Sequence, residues 1–560
     1  MGNLSKYIPV LHWLPNYNKE DLSGDLIAGF TVAVMLIPQG MAYAMLAGLP
    51  PEIGLYSSIL PLMVYALFGT SRQLAVGPVA MVSLLVASGI RDLGQFDVPT
   101  YIAYAVMLSM MIGLIQFAMG AFRLGFLVNF LSHPVISGFT SAAAIIIGLS
   151  QLKHLLGVNL KRSHHLHEII IQASSRIGET KLLTFAIGLG GILLILALKR
   201  WAPKVPSALV AVAISTLLVY FFRLDKMGVA IVKDVPGGSI PLQVPSLDMG
   251  VMQKLIPTAL AISLVGFMES IAVAKNFATK NRYKVDANQE LIGLGLANIM
   301  GAFAKAYPVT GGFSRTAVNA QAGARTGLAS LITAVLIGIT LFFLTGLFYF
   351  LPKAILASII FVAVFGLIDF QEVKHLWQGK KVDAIVLLVT FVITLFVGIK
   401  QGIGVGVVLS LVMIIYRSTQ PHTTELGCLE DTHVYRNPKH FPEVEMHPNT
   451  LIMRMDASLY FANTSFFKDR VDELLADAEE RDIKHFILDA SSINDVDSAG
   501  VTALEEVRRE LEDMGIDMYI ASAKGPVREV FKNAHFEEHL PAENFTLTID
   551  EAVSVALGKA

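Results

Sequence analysis

Two glycine-containing breaks interrupt otherwise apolar, membrane-like sequence. The first is VGPVA at 76–80 and the second is GGFSR at 311–315, and Gly77 and Gly312 lie 235 positions apart. Paired interruptions in corresponding halves of a membrane chain indicate a binding site built from broken helices. The unpaired N–H groups at a helix start carry roughly half a positive charge. Two helix starts that face each other therefore predict an anion site.

The composition indicates a chain that crosses a membrane many times. Of its 560 residues, 54% are hydrophobic and 16% are charged, whereas soluble proteins carry about 25% charged residues. The formal net charge of −2 gives no reason to expect a nucleic-acid partner. The single cysteine, Cys428, excludes an internal disulfide and a cysteine-ligated zinc or iron–sulfur site. Nucleotide-binding and nucleophile motifs are absent from the sequence, so we predict no enzyme, no cofactor and no metal site.

Apolar runs of spanning or near-spanning length continue to about residue 416. We predict two short segments after the breaks, near 77–90 and 312–323, and twelve other spans. The twelve lie near 25–46, 54–69, 101–122, 126–150, 181–198, 206–222, 255–278, 286–304, 327–350, 353–370, 383–399 and 402–416. The offset of 235 divides the fourteen segments into two sets of seven. Because seven is odd, the second set must be inverted relative to the first, which is a transporter architecture.

The distribution of basic residues predicts the orientation in the membrane. An even number of segments places both termini on one side, and basic clusters at 199–204, 280–284 and 374–381 fall on that same side. Cytoplasmic loops carry an excess of lysine and arginine. The loop 151–180, which is also basic, does not follow this rule. We expect the N-terminal segment 1–24 and the C-terminus to be cytoplasmic, with the chain embedded in lipid of the inner cell membrane.

Charged residues become frequent from about residue 421, and the apolar runs shorten. The pattern predicts strands at Leu451–Phe461, His485–Asp489 and Met518–Ala521 and helices at Phe466–Glu480 and Ala499–Met514. Alternating strands and helices predict a small α/β domain. We place a transmembrane domain at 25–420, a linker at 421–440 and the α/β domain at 441–560.

Several long runs of sequence carry a family resemblance. They are AVMLIPQGMAYAMLAGLPPEIGLYSSILP within 28–78, FLSHPVISGFTSAA at 130–143, NRYKVDANQELIGLGLANIMGAF within 269–303, and TGGFSRTAVN at 310–319. These runs resemble the sulfate permease family of anion transporters. LDASSINDVDSAG at 488–500 resembles the STAS module, which bacterial anti-sigma-factor antagonists share. The resemblance covers nearly the whole chain, in order.

The resemblance implies more than the residues alone do. It implies an α-helical polytopic membrane protein with the inverted 7+7 fold of uracil permeases, with core and gate domains and a cytoplasmic STAS domain. It also implies a homodimer and transport by movement of the core domain. Family members carry sulfate, bicarbonate, chloride, iodide, oxalate or dicarboxylates. The family therefore implies an anion transporter and leaves the anion open.

Arg315 and Ser314 follow the second break and are candidate substrate-binding residues. A charge within a membrane segment is costly, and we interpret Arg315 as the attraction for an anion rather than as half of a structural ion pair. Ser314 can donate a hydrogen bond to an oxyanion or cap the helix, and both roles can hold at once. The other expected donors are the backbone N–H groups of Phe313, Val79 and Ala80, together with that of Ser314.

Gln39 and Tyr43 lie four positions apart, and therefore on one helix face, after Pro38. Both side chains can donate hydrogen bonds to a bound anion. Interhelical polar packing is the alternative. The resemblance favours binding, because transporters of the plant sulfate type have glutamine and tyrosine at the matching places.

Glu269 lies within the apolar stretch 259–274. Protonation removes an expensive buried charge, so we expect its ionisation to be coupled to occupancy of the site. This makes Glu269 the proton-coupling residue of a sulfate symporter, with a permanent salt bridge to Arg315 or Lys275 as the alternative. Sodium-coupled bicarbonate uptake and dicarboxylate transport are alternative functions of the same fold. Val273 stands where sodium-coupled relatives usually place an acidic residue, which disfavours sodium.

Asp497 and Ser498 resemble the antagonist motif whose serine is phosphorylated, so Ser498 is a possible regulatory phosphosite. We favour a simpler role, in which Asp497 or Ser498 caps the next helix, because Ala499 replaces the second serine of the motif. A signalling receptor with STAS as its output, and a channel, are the remaining alternatives. Transport without a partner would oppose the first, and single-channel current would reveal the second.

Overall fold

The computed structural model describes residues 8–126, 132–160, 166–202, 205–246, 248–429, 432–478 and 481–558. Several predictions extend beyond the described residues. The positions concerned are 1–7 of the N-terminal segment, 127–131 of the span at 126–150, 161–165 of the loop 151–180, 203–204 of the basic cluster at 199–204, 430–431 of the linker, 479–480 of the helix predicted at Phe466–Glu480, and 559–560 of the α/β domain. The chain divides into two compact units, Met1–Ser410 and Leu411–Ala560.

The described part of the first unit is mainly helical and contains two short strands, β1 (Val76–Gly77) and β2 (Thr310–Gly311). The helices up to residue 419 are α1 (Val10–Trp13), α2 (Lys19–Ala47), α3 (Pro51–Tyr56), α4 (Leu60–Phe68), α5 (Ala80–Arg91), α6 (Val98–Ala121), α7 (His133–Ser150), α8 (Leu152–Leu155), α9 (Leu166–Ser175), α10 (Leu182–Trp201), α11 (Ser207–Phe222), α12 (Met249–Lys280), α13 (Ala287–Phe303), α14 (Phe313–Gln321), α15 (Leu328–Ile339), α16 (Lys353–Phe365), α17 (Phe370–Gly379), α18 (Lys381–Phe396) and α19 (Ile399–Thr419). Among the described residues, eight helical stretches are long and apolar enough to cross a membrane.

The two breaks meet as an antiparallel pair of strands, in which Val76 faces Gly311 and Gly77 faces Thr310. Val76 and Gly311 are separated by the repeat spacing of 235, so equivalent positions of the two halves face each other. The N–H of Gly312 donates to the carbonyl of Ala75 at 3.1 Å. By the same offset of 235, Ala75 and Gly312 are the counterparts of Thr310 and Gly77, so this contact repeats their pairing. A pseudo-two-fold axis through this pair relates the halves, as an inverted repeat requires.

Helix packing repeats the same relation. The contact of α2 with α15 has a counterpart in the contact of α12 with α6, and the contact of α7 with α18 has one in the contact of α10 with α16. Helices α2 to α6 and α12 to α15 form the core domain, whereas α7, α10, α11, α16, α18 and α19 form the gate domain. The predicted inverted, two-domain membrane fold is confirmed.

Three predicted spans end differently in the structure. The span at 54–69 consists of α3 and α4, because Pro61 at the start of α4 has no N–H with which to continue the preceding helix. The span at 353–370 stops at Phe365, where Gly366 caps the helix. In the span at 327–350, α15 ends at Ile339 and a π-helical turn follows over Thr340–Leu344.

The second unit contains an α/β domain with a five-stranded sheet. Its elements are β3 (Thr423–Glu425), β4 (Gly427–Leu429), β5 (Tyr435–Arg436), β6 (Val444–Glu445), β7 (Thr450–Met455), α20 (Thr464–Asp477), β8 (His485–Asp489), α21 (Ser498–Asp513), β9 (Asp517–Ala521), α22 (Gly525–Asn533), β10 (Phe545–Thr546) and α23 (Ile549–Ala556). The sheet order is β10-β9-β8-β7-β3, with only β3 antiparallel to its neighbour. The strand predicted at Leu451–Phe461 ends at Met455, and the segment 421–440 that we predicted to be a linker contains β3, β4 and β5.

Candidate functional site

Two helix starts meet at the paired strands. Val79 is the N-cap residue of α5, and Gly312 is the N-cap residue of α14. Neither helix start has a side-chain cap. Because the first N–H groups of a helix have no intrahelical partner, those of Ala80, Phe313 and Ser314 are available to a ligand. Ser314 is the second residue of α14 and not its N-cap residue. Its hydroxyl is exposed and can donate a hydrogen bond to a ligand.

Arg315 is buried between these helix starts, with 1% of its surface exposed. Its Nη1 donates to the carbonyl of Pro78 and, at 3.4 Å, to Oε1 of Gln39. Its Nε and Nη2 are buried without a hydrogen-bond partner in the described part of the chain. Unpaired buried polar groups are rare because each costs about 1–3 kcal/mol. The guanidinium therefore has two N–H-bearing nitrogens whose capacity for hydrogen bonds is unused.

Each break requires glycine beside this guanidinium, at Gly77 for its backbone conformation and at Gly312 for space. Gly77 has φ +155, a backbone conformation that side chains disfavour. A Cβ at Gly312 would lie 3.0 Å from both Cζ and Nη2 of Arg315. Substituting Gly312 with a larger residue would therefore displace the guanidinium.

Gln39 and Tyr43 form one hydrogen-bonded chain with the arginine. Pro38 breaks the backbone ladder inside α2, immediately before Gln39. Nε2 of Gln39 donates to the hydroxyl of Tyr43 at 3.0 Å, while its Oε1 accepts from Arg315. Both side chains are 5% exposed. The prediction that they lie on one helix face is consistent with this arrangement.

Glu269 on α12 faces the same cavity. Within the described residues, no hydrogen bond to its carboxylate and no ion pair within 4.0 Å of it is found, so neither Arg315 nor Lys275 forms the salt bridge that was the alternative. Glu269 is partly exposed, and it lines the cavity together with Arg315. The carboxyl group can therefore exchange a proton with water in the cavity.

A cavity of about 490 Å³ brings these groups together between core and gate helices. All eight residues predicted for binding and coupling line it: Gln39, Tyr43, Val79, Ala80, Glu269, Phe313, Ser314 and Arg315. The gate contributes residues of α10, α11 and α16, including Ile195, Ser207 and Ile359. The described wall is mainly apolar, and its polar groups lie largely on the core side.

Sequence reasoning missed the side chains that hold the second break in place. Asn298 pairs with Val309 like a neighbouring strand, accepting from its N–H at 2.9 Å and donating to its carbonyl at 3.1 Å. Ser270 accepts from the N–H of Gly311 at 2.7 Å and bonds to the hydroxyl of Thr310 at 2.6 Å. Polar residues within apolar spans were the available signal, but their partners depend on the packed fold.

In the second unit, Asp497 caps α21. Its Oδ1 accepts from the N–H of Gly500 at 2.8 Å, and its Oδ2 accepts from the N–H of Phe461 at 3.0 Å. Ser498 is the exposed first residue of the helix. The capping role of Asp497 leaves the hydroxyl of Ser498 accessible, and phosphorylation there stays a prediction.

The family model described as "Sulfate permease family" matches residues 22–390, and the STAS domain model matches residues 441–552. The chain belongs to the sulfate permease family. The predicted resemblance is thereby confirmed for both parts of the chain. The protein is a multi-pass membrane protein of a transporter family, with a C-terminal STAS domain.

Similar proteins match this sulfate permease family member over nearly its full length. It is 40% identical over 568 residues to "Sulfate transporter 4.1, chloroplastic" of Arabidopsis thaliana, covering 98% of this chain and 82% of that protein. "Sulfate transporter 1.2" of the same plant is 35% identical, covering 100% of this chain and 89% of that protein.

Solved structures share the fold. The murine Slc26a9 anion transporter in the inward-facing state is 26% identical, with a TM-score of 0.91, covering 100% of this chain and 95% of that chain. The transmembrane domain of the cyanobacterial bicarbonate transporter BicA covers 70% of this chain and 98% of its own, with a TM-score of 0.61. At 23% identity it supports the fold alone.

Proposed function

We propose that this protein is a secondary active transporter that takes up inorganic oxyanions, with sulfate as the substrate and protons as the coupling ions. One observation carries the proposal. Two helix starts and Arg315, whose guanidinium has unpartnered N–H groups, lie at one cavity. This is an arrangement that binds anions.

The chemistry of the site favours an oxyanion. Sulfate has acceptor oxygens and no donor. Backbone N–H groups, the hydroxyl of Ser314 and the guanidinium of Arg315 all supply donors. Tyr43 can turn its hydroxyl hydrogen toward the cavity, since that hydroxyl already accepts from Gln39. The relatives that are named as sulfate transporters support the choice of sulfate over bicarbonate or a dicarboxylate.

Glu269 supplies the coupling in this proposal. A carboxylate and a dianion in one cavity repel each other, so binding of sulfate favours the protonated form of Glu269. Without sulfate, the carboxylate balances the charge of Arg315. The absence of a hydrogen bond or ion pair at Glu269 among the described residues supports a group that is free to take up and release its proton.

Transport proceeds by movement of the core domain against the gate domain. Residues of both domains line the cavity, so a rigid shift of the core carries the site from one side of the membrane to the other. In this proposal the protein is a homodimer in the inner cell membrane, and both termini are cytoplasmic. The boundary of the transmembrane domain at 25–420 belongs to the same proposal, whereas the segment 421–440 belongs with the α/β domain, because β3 pairs with β7.

Uptake by purified protein in proteoliposomes tests the function. Labelled sulfate, bicarbonate and succinate are offered in turn under an inward proton gradient, an inward sodium gradient, or neither. The proposal predicts concentrative uptake of sulfate that requires the proton gradient. Sodium-dependent uptake of bicarbonate would instead support a sodium-coupled bicarbonate transporter. Uptake of succinate in preference to sulfate would support a dicarboxylate transporter.

A further inference from the structure

The charged groups of the cavity do not all belong to the core domain. Three charged side chains are found among its described lining residues: Arg315 and Glu269 from the core, and Lys199 from gate helix α10. Lys199 has no hydrogen-bond or ion-pair partner among the described residues. The cavity therefore has a second cation, contributed by the gate domain.

The orientation of α10 gives Lys199 its place. Ile195 lies one turn earlier on the same helix face, and it also lines the cavity. Arg200, the next residue, is exposed but is not among the lining residues. Lysines near helix ends commonly reach the membrane surface, and basic residues accumulate on the cytoplasmic side. Both tendencies apply equally to Lys199 and Arg200, so they do not explain why only Lys199 lines the cavity.

We propose that Lys199 attracts anionic substrate into the cavity by its charge, and that this attraction is strong for a dianion such as sulfate. This inference rests on the proposed transport of sulfate. A fixed cation beside a cavity with apolar walls raises the local concentration of anions. The enrichment grows exponentially with the charge of the anion, so a factor f for a monoanion becomes f² for a dianion. The side chain acts by its field and does not need to touch the substrate.

Binding of labelled sulfate to the purified full-length protein in detergent tests the proposal. The variants are Lys199→Arg, Lys199→Gln and Lys199→Glu, and the matched controls are Arg200→Gln and Arg200→Glu. Electrostatic focusing enriches ligands by about tenfold or more, so we expect Lys199→Gln to raise the Kd for sulfate about tenfold. Lys199→Glu changes the charge by two units and should raise Kd about a hundredfold by the same relation. Lys199→Arg should match the wild type.

Ionic strength separates this field effect from structural damage. Added choline gluconate screens the field, so the gap between wild type and Lys199→Gln should narrow as ionic strength rises. The proposal would be overturned by a Kd for Lys199→Gln within twofold of the wild-type value. It would also be overturned by an equal loss of sulfate affinity in the Arg200 variants, or by a difference in Kd that added salt leaves unchanged. Failure of the wild type to bind sulfate would instead overturn the proposed function, and this inference with it.

Discussion

Replacing Arg315 with glutamine removes the full charge from the site and keeps a polar side chain. The guanidinium has donors at Nε and Nη2 that lack a partner in the described chain, and Nη2 lies beside Gly312 at the start of α14. At least two charge-assisted hydrogen bonds to sulfate are lost, at about 1.5–3 kcal/mol each. With about 1.4 kcal/mol per tenfold in affinity, the Kd for sulfate should rise by about 10² to 10⁴.

The same substitution should not weaken the empty protein. Burying N–H groups without partners costs free energy of folding, and Arg315→Gln removes that cost, but it also removes the hydrogen bonds from Nη1 to Pro78 and Gln39. Because these two effects oppose each other, we expect the melting temperature in sulfate-free buffer to change little. Saturating sulfate should stabilise the wild type, by about 2.7 kcal/mol at a hundred times its Kd. It should not stabilise the variant.

Equilibrium binding of labelled sulfate and thermal unfolding of purified protein measure both effects. Arg325→Gln is the matched control, because Arg325 follows the same helix but is half exposed and pairs with Glu20 and Asp21. This control should bind sulfate like the wild type. A Kd for Arg315→Gln within threefold of the wild-type value would refute the assignment of Arg315 to the anion site. Parallel loss of affinity in Arg325→Gln would do so as well.

Two further predictions concern the glycine break and the C-terminal domain. Gly312→Ala should weaken sulfate binding about tenfold, because the new Cβ crowds the guanidinium and overpacking costs about 1–3 kcal/mol; Gly338→Ala, where the added atom meets nothing within 4 Å, is the control for the binding assay. The fragment 421–560 should be soluble and unfold cooperatively, without a spectral response to sulfate. Asp497→Ala should destabilise that fragment by about 1–2 kcal/mol in denaturant titrations, since the cap of α21 is lost; an unchanged midpoint would contradict the capping role.

The large-scale fold could be predicted because its signals are local or periodic. The length of the apolar runs indicated the spans, and the spacing of Gly77 and Gly312 indicated the repeat. The structure adds that the two breaks pair as strands with Val76 opposite Gly311. Helix ends were harder to predict, since the gap between α3 and α4 depends on Pro61 within an unbroken apolar run.

The site was predictable where charge or sequence spacing marked it. Arg315 and Glu269 stand out as charges in apolar sequence, and the structure brings both to the cavity. Asn298 and Ser270 act through contacts with β2 and the residue before it, which no spacing in the sequence indicates. Lys199 was counted only as a basic residue at a helix end. Its position on the cavity face of α10 follows from packing.

Proton coupling through Glu269 is the central claim, and one substitution tests it most directly. Glu269→Gln imitates the protonated side chain, so exchange of labelled sulfate between the two sides of a proteoliposome should continue. Accumulation driven by an inward proton gradient should be lost in Glu269→Gln and retained in Glu269→Asp, which can still titrate. Full proton-driven accumulation of sulfate by Glu269→Gln, measured at several pH values beside exchange, would contradict the account.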